Sequence, residues 1–145
     1  MKEKILISAC LLGTPCRYDG RSVRKVDVDA LQKKYELIPV CPEVDGGLPT
    51  PRTPSERVGD KVLMRDGIDV TSEFLRGAVH AYEMALANGC KKALMKERSP
   101  SCGKDLIYDG SFSGTLTERK GVAAEYLTER GIEVFGESDI ELLLK

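Results

Sequence analysis

The sequence predicts an α/β fold: a single-domain, Rossmann-like parallel sheet with helices on both faces and a small peripheral hairpin. Three observations predict it. Short aliphatic runs alternate with stretches of helical period, the pattern that gives right-handed crossovers and a parallel sheet covered on both sides. Glycines follow the helical stretches where a left-handed stop is needed. At 145 residues the chain has the length of one domain with a core of its own, so residues 1–145 are expected to form a single unit.

The elements follow in order. Ile5-Leu6-Ile7-Ser8 is a buried strand, broken soon afterwards by Gly13 and Pro15. Val28 to Lys34 is a short helix with Leu31 inward, and Glu36 to Val40 is a second strand in which Pro39 removes one ladder donor. Val62-Leu63-Met64 and Ile68-Asp69-Val70 flank Asp66-Gly67, a tight-turn signal for a hairpin outside the main sheet. From Asp69 or Thr71 a helix places Leu75, Ala78, Val79, Tyr82, Ala85 and Leu86 on one face and stops at Gly89. Lys92 to Lys96 is the third strand. A helix starting near Thr117 turns Val122, Ala123, Tyr126 and Leu127 inward, Gly131 ends it, and Ile132 to Phe135 is the fourth strand. Ser138 and Glu141 form a capping-box pattern for a last helix through Leu144.

Charge narrows the function. Twenty-two basic against 23 acidic residues leave a net charge of -1, little for the counterion release that drives binding to long nucleic acid. A small-molecule substrate is the expectation. No apolar run approaches the ~20 residues of a membrane helix, and Lys2-Glu3-Lys4 leads into only three aliphatic residues. The expected location is cytoplasmic, a reducing compartment. There, five cysteines argue for ligation, catalysis or burial rather than a disulfide framework.

Their positions are informative. Cys10 lies two residues past the first strand, Cys41 directly follows the second, and Cys102 ends the loop Glu97-Arg98-Ser99-Pro100-Ser101 after the third. Ligands of open parallel sheets bind outside the carboxyl ends of the strands, so these three thiols should converge on one rim. Cys90 precedes its strand and belongs at the opposite edge. Cys16 sits on the loop Gly13 to Gly20, tied to no strand end, and its position is undecided. A thiolate-rich set without histidine favours zinc or iron–sulfur over magnesium or calcium. The plainer alternative is that these cysteines are small core residues. His80, the only histidine, falls with Glu73, Arg76 and Glu83 on a polar helix face, which argues against histidine catalysis.

Five segments carry a resemblance: Ser8-Ala9-Cys10-Leu11-Leu12-Gly13; Arg17-Tyr18-Asp19-Gly20; Pro39-Val40-Cys41-Pro42-Glu43; Gly46-Gly47-Leu48-Pro49-Thr50-Pro51-Arg52; and Glu97 to Gly103 with Ile107-Tyr108-Asp109-Gly110. In this order they resemble the short thiouracil desulfidase family over nearly the whole chain, from Ile5 to Phe135. The resemblance implies a 4Fe-4S cluster held by Cys10, Cys41 and Cys102, with the fourth iron free to take sulfur from a thiolated uracil. It implies Glu43 and Ser101 as catalytic residues, and Arg17, Asp19 and Ser99 as contacts to a thiolated pyrimidine. The chemistry agrees: an open iron is a Lewis acid for a soft thiocarbonyl, and water attack on the ring carbon needs a base, for which Glu43 is near enough to Cys41. No electron need be consumed.

Each residue has a structural alternative. Glu43 would cap a helix or pair with Arg52. Ser99-Pro100-Ser101 would be a turn whose hydroxyls satisfy local backbone, and both Tyr-Asp-Gly segments would be turns with positive φ at Gly20 and Gly110. The Gly46-Gly47 loop is either a lid or a tight bend. Two rival functions stand beside the desulfidase. A sulfurtransferase acting on a transfer RNA base would need a nucleotide site and a basic surface, and neither a Walker-type motif nor a basic excess is present. A non-enzymatic zinc module would be colourless where an iron–sulfur protein is brown.

Overall fold

Aliphatic runs with few polar breaks become strands buried on both faces. The computed structural model describes residues 2–20 and 26–145. Along the chain run β1 (Glu3–Ser8), α1 (Val28–Lys34), β2 (Tyr35–Val40), α2 (Pro42–Asp45), β3 (Ser55–Val58) and β4 (Lys61–Met64). There follow α3 (Thr71–Asn88), β5 (Lys92–Met95), β6 (Leu106–Tyr108), β7 (Leu116–Glu118), α4 (Val122–Glu129), β8 (Glu133–Gly136) and α5 (Ile140–Leu144). The main sheet has four parallel strands in the order β2-β1-β5-β8. Pro39, opposite Ile7 in the register, is tolerated because β2 is an edge strand.

Alternation along β1 sorts the core into two layers. Ile5 and Ile7 pack with Leu31 of α1 and Leu143 of α5, while Leu6 packs with Ala81 and Ala85 of α3 and with Ala124 and Leu127 of α4. The α/β class, the parallel sheet and the helices on both faces are as predicted. Among the described residues, no helix is long and apolar enough to cross a membrane.

Four local expectations are corrected. The buried stripe of α3 is Phe74, Gly77, Ala78, Ala81 and Ala85, whereas the predicted Leu75, Val79 and Leu86 are exposed. Small residues win because neighbouring backbone comes very close: a Cβ on Gly77 would stand 1.7 Å from the carbonyl oxygen of Pro42. On the same contact, a Cβ on Gly46 would stand 2.0 Å from the carbonyl oxygen of Glu73, so the Gly46-Gly47 segment is a packed bend, not a lid. The second correction is that α4 starts at Val122, since Thr117 pairs with Ile107 in the β6–β7 hairpin.

The third concerns the hairpin around Asp66-Gly67. The hairpin forms as predicted, with Met64 N–H donating to Ile68 O at 2.8 Å, Val70 N–H to Val62 O at 2.9 Å and an antiparallel Leu63–Asp69 bridge; what was not predicted is the longer ladder that β4 makes with β3 on its other side. Ser55-Glu56-Arg57-Val58 is too polar to have been predicted as a strand. Finally, Ser138 donates to Glu97 instead of capping, and Asp139 accepts from the Gly136 N–H at 3.0 Å. Gly131 does provide the left-handed stop after α4, at φ 88.

The close approach at Gly77 yields a test. Gly77→Ala must push α2 away from α3, and overpacking of this kind typically costs about 1–3 kcal/mol. Because Pro42 lies between Cys41 and Glu43, the displacement should reach both. Chemical denaturation should show the midpoint falling with an unchanged slope; an unchanged midpoint would contradict the contact.

Candidate active site

From β1 the chain crosses to β2 on one side, and later enters β5 on the other, so the switch point of the sheet lies between the carboxyl ends of β1 and β5. A cleft of about 810 Å³ opens there. Cys10 reaches it from a 3₁₀ turn, Ala9–Leu12, that continues β1; Gly13 at φ 97 ends that turn and sends the chain back toward the rim. Cys41 reaches it from the residue between β2 and α2, its N–H held by Asp45 Oδ2 at 3.0 Å. Cys102 reaches it from the loop after β5. That loop lies directly on α4: the N–H groups of Val122 and Ala123 donate to Pro100 O and Ser101 O at 2.9 and 2.8 Å. Only glycine fits at residue 121, where a Cβ would stand 2.6 Å from the Ser101 carbonyl carbon.

All five cysteines are free thiols. Cys10 and Cys16 belong to the core layer on the α1 side and Cys102 to the layer on the α3 side, so the cleft gathers thiols from both faces of the sheet. Cys10, Cys16 and Cys41 line the same cleft, and the Cys41 Sγ lies 3.8 Å from the Cys16 carbonyl oxygen. The neighbouring Cys10 thiol leads in pushing Cys16 up to about 11, and the neighbouring Cys16 thiol, then burial, raise Cys41 well above the ordinary thiol range. Burial pushes Cys102 up to about 12 against hydrogen bonds from Ser8 and Ser101. These thiols are therefore protonated at neutral pH without metal, and loading a metal must release protons. Among the described residues, no three His, Cys, Asp or Glu side chains converge to hold a single ion. Four cysteine sulfurs on one cleft, without histidine, suit a soft, thiolate-bound group.

Beside the thiols stands a buried polar network. Glu43 Oε1 accepts from Arg52 Nε at 3.1 Å and pairs with Arg52 Nη2 at 3.0 Å, the side chains being 13% and 3% exposed. Arg52 also donates to Cys16 O, Pro49 O and Thr50 Oγ1, tying the Cys16 loop to the carboxylate. Glu43 Oε2 accepts from Ser101 Oγ at 2.8 Å. Ser99 Oγ, 2.9 Å from Ser101 Oγ, accepts from the N–H groups of Ser101 and Cys102 at 3.1 and 3.0 Å. With both lone pairs of Ser99 used, its proton goes to Ser101, whose own proton has two acceptors in reach, Glu43 Oε2 at 2.8 Å and Cys102 Sγ at 3.6 Å.

Cys10, Cys41, Cys102, Glu43, Ser99, Ser101 and Arg17 all line the cleft. Asp19 is not on its wall and pairs instead with Arg17, Oδ2 to Nη2 at 3.8 Å. Cys90 is buried at the opposite edge, near Glu3, Lys4 and Glu36 where β1 and β2 begin. His80 lies half exposed, 3.8 Å from Asp45. Both Tyr-Asp-Gly turns have positive φ at glycine, 76 and 94, as expected.

Sequence reasoning left Cys16 undecided and gave Arg52 no role beyond pairing with Glu43. The signal for Cys16 was its place between Gly13 and Gly20, a loop short enough to return to the rim. Ser8 and Glu56 were also missed. Buried Ser8 accepts from the Lys96 N–H at 2.8 Å and closes the floor between β1 and β5. Buried Glu56 accepts from the N–H groups of Gly110 and Phe112, fixing the β6–β7 loop over the cleft.

The family model described as 2-thiouracil desulfurase matches residues 5–139. The chain belongs to the 2-thiouracil desulfurase family. Another protein similar to this desulfurase-family chain is the uncharacterized protein YbbK of Bacillus subtilis (strain 168), 34% identical over 150 residues, covering 97% of this chain and 99% of that one. A solved structure, the 4Fe-4S-dependent thiouracil desulfidase TudS (DUF523Vcz), matches with a TM-score of 0.93 at 49% identity, covering 98% of this chain and 95% of that chain. The desulfurase-family chain and TudS share one fold over that span.

Proposed function

We propose that this chain removes sulfur from a thiolated uracil by hydrolysis, giving uracil and hydrogen sulfide, with a 4Fe-4S cluster held by Cys10, Cys41 and Cys102. The observation that carries the reading is a carboxylate, Glu43, fixed in a thiol-lined cleft and hydrogen-bonded to the Ser101 hydroxyl, which also reaches Cys102 Sγ. The donor set fits the group: a cubane takes one thiolate per iron, so its ligands stand apart around a cavity. Family membership and the likeness to TudS support the same cofactor and substrate class. When bound, the cluster supplies a soft Lewis acid for a thiocarbonyl sulfur.

The protein's own groups do the rest. Glu43 takes a proton from water as its oxygen attacks the thiocarbonyl carbon. Arg52, with the geometry of a guanidinium held by four partners, keeps the carboxylate aimed and balances its charge. Ser101 holds the proton that passes between Glu43 and the departing sulfur, and Ser99 orients Ser101 while bracing the Cys102 loop. Arg17, paired with Asp19, is the cleft's cationic contact to the pyrimidine.

The balance is one water in, one hydrogen sulfide out, with no change in electron count. In oxygen-18 water, the carbonyl that replaces the thiocarbonyl should carry the label in a single turnover, read by mass spectrometry. Unlabelled uracil would sink the hydrolytic reading while leaving the cluster open to another reaction.

A further inference from the structure

The β6–β7 hairpin carries an aromatic side chain that the proton chemistry does not use. Phe112 lines the cleft, half-buried, at a backbone φ of 55. A bulky residue in the left-handed region is strained, and such residues persist only where their surroundings hold them. Glu56, buried on β3, does so: one of its carboxylate oxygens accepts both the Phe112 N–H at 3.1 Å and the Gly110 N–H at 2.9 Å. Asp109 Oδ1 accepts the Ser111 N–H at 3.0 Å, and hydroxyl contacts run from Ser111 to Ser113 at 2.6 Å and on to Thr115 at 2.9 Å. The loop is braced on both sides of Phe112. Arg98 is the other non-glycine residue of positive φ among the described residues, and it too lines the cleft. An isolated bridge joins it to Ile107 of β6, so the hairpin is tied to the loop that carries Ser99, Ser101 and Cys102.

Core packing does not account for the ring. Phe74 and Phe135 are buried in the hydrophobic clusters, whereas Phe112 belongs to none of them among the described residues. Of the other aromatic residues on the cleft, Tyr18 has the Arg17 guanidinium 5.8 Å from its ring centroid, and Tyr108 stands on the regular strand β6. Phe112 alone combines a forced backbone, a buried carboxylate that fixes it, and a ring with no polar atom. Such a ring has only its apolar surface to offer.

We propose that Phe112 is the stacking wall of the substrate slot: its ring covers one face of the planar pyrimidine, and Glu56 is the positioning residue that holds it there. The inference rests on the proposed function and deepens it, because a face contact selects for a flat ring and not merely for a thiocarbonyl. Stacking uses the π-face of the base and leaves its edge, with the thiocarbonyl, the N–H groups and the carbonyl, to the polar groups of the cleft. It also favours substrate and product alike, since uracil is as flat as its thio analogue. Phe112 therefore serves binding, and Glu43 and Ser101 serve the chemical step.

The test measures dissociation constants by calorimetry for 2-thiouracil, uracil and 5,6-dihydro-2-thiouracil on anaerobically reconstituted protein. The dihydro compound keeps the thiocarbonyl, both N–H groups and the carbonyl on a puckered, non-aromatic ring. Native protein should bind 2-thiouracil roughly tenfold more tightly than the dihydro compound, the scale of one base stacked on one side chain, and this comparison involves no substitution that could misfold. Phe112→Leu should weaken 2-thiouracil and uracil by about tenfold and leave the dihydro compound unchanged, with KM rising and kcat holding. Phe112→Tyr, which keeps the ring, should return the native values. Glu56→Ala should repeat the Phe112→Leu pattern, and Glu56→Gln, which keeps an accepting oxygen, should not. Native affinities in Phe112→Leu would overturn the proposal, and equal losses for flat and puckered rings would overturn stacking and reduce Phe112 to a spacer. Native protein that discriminates flat from puckered rings through Phe112 yet releases no sulfide would sink the desulfidase reading and leave the wall standing. Native protein that binds none of the three compounds would overturn both.

Discussion

Cys10→Ala, Cys41→Ala and Cys102→Ala should each abolish cluster assembly, while Cys90→Ala should leave it complete. Every strand-end thiolate would hold one iron, and removing one leaves two protein ligands for a group that needs at least three. Metal affinity at sites of this kind is of the order of the whole stability of a small domain, so losing one ligand is not a partial effect. The fold itself should survive, since the sheet is built on Ile5, Leu6, Ile7, Ala93 and Leu94, all fully buried and independent of any metal. Iron and acid-labile sulfide after anaerobic reconstitution are the measurement, with circular dichroism to establish folding. A complete cluster in Cys41→Ala would refute the ligand assignment. A native protein that is colourless and carries zinc would restore the metal-binding module as the better reading.

The architecture was legible because its determinants are local. Val28 to Lys34 was predicted as a helix and is one, with Asp27 Oδ1 accepting the Ala30 N–H at 3.0 Å. The strands of the main sheet were found because aliphatic runs buried on both faces look alike wherever they occur. The errors fell where distant backbone decides. Nothing within α3 tells that Gly77 and Ala81, not Leu75 and Val79, face inward; that depends on how closely α2 approaches. The β6–β7 hairpin has strands of three residues and is held by Glu56 from a different hairpin, a contact with no sequence period.

The site divides the same way. The cysteines at strand ends were found by topology, because a parallel sheet opens its ligand crevice at one edge. Glu43 and Ser101 are 58 positions apart, and their hydrogen bond exists only because β2 and β5 flank β1 and end on the same side. Chain order carries no trace of that meeting. The resemblance supplied both residues; the packing supplies their connection. Cys16 was undecided for a related reason, since a loop's return to the rim is set by Arg52, which lies 36 positions further along.

Glu43→Gln should lower turnover of a thiolated uracil by ~10²–10⁴-fold, the range typical of a lost general base. The substitution keeps shape and removes the charge, so the cluster should assemble in full and thio-substrate binding, followed through changes in cluster absorbance, should persist. Arg52 would then be a buried cation without its counter-ion, and breaking such a pair costs up to about 3–5 kcal/mol. The assay therefore belongs well below the melting temperature of the variant. Ser101→Ala separates charge loss from proton path, because it removes the hydroxyl chain's last donor and leaves the Glu43–Arg52 pair whole. If both residues serve one proton transfer, the double variant Glu43→Gln, Ser101→Ala should be no slower than Glu43→Gln alone, since a broken path cannot be broken twice. Multiplicative losses would assign Ser101 a separate task, such as holding the pyrimidine. Wild-type turnover in Glu43→Gln would give the base to another group, and loss of the cluster in that variant would make Glu43 part of the cluster's support instead.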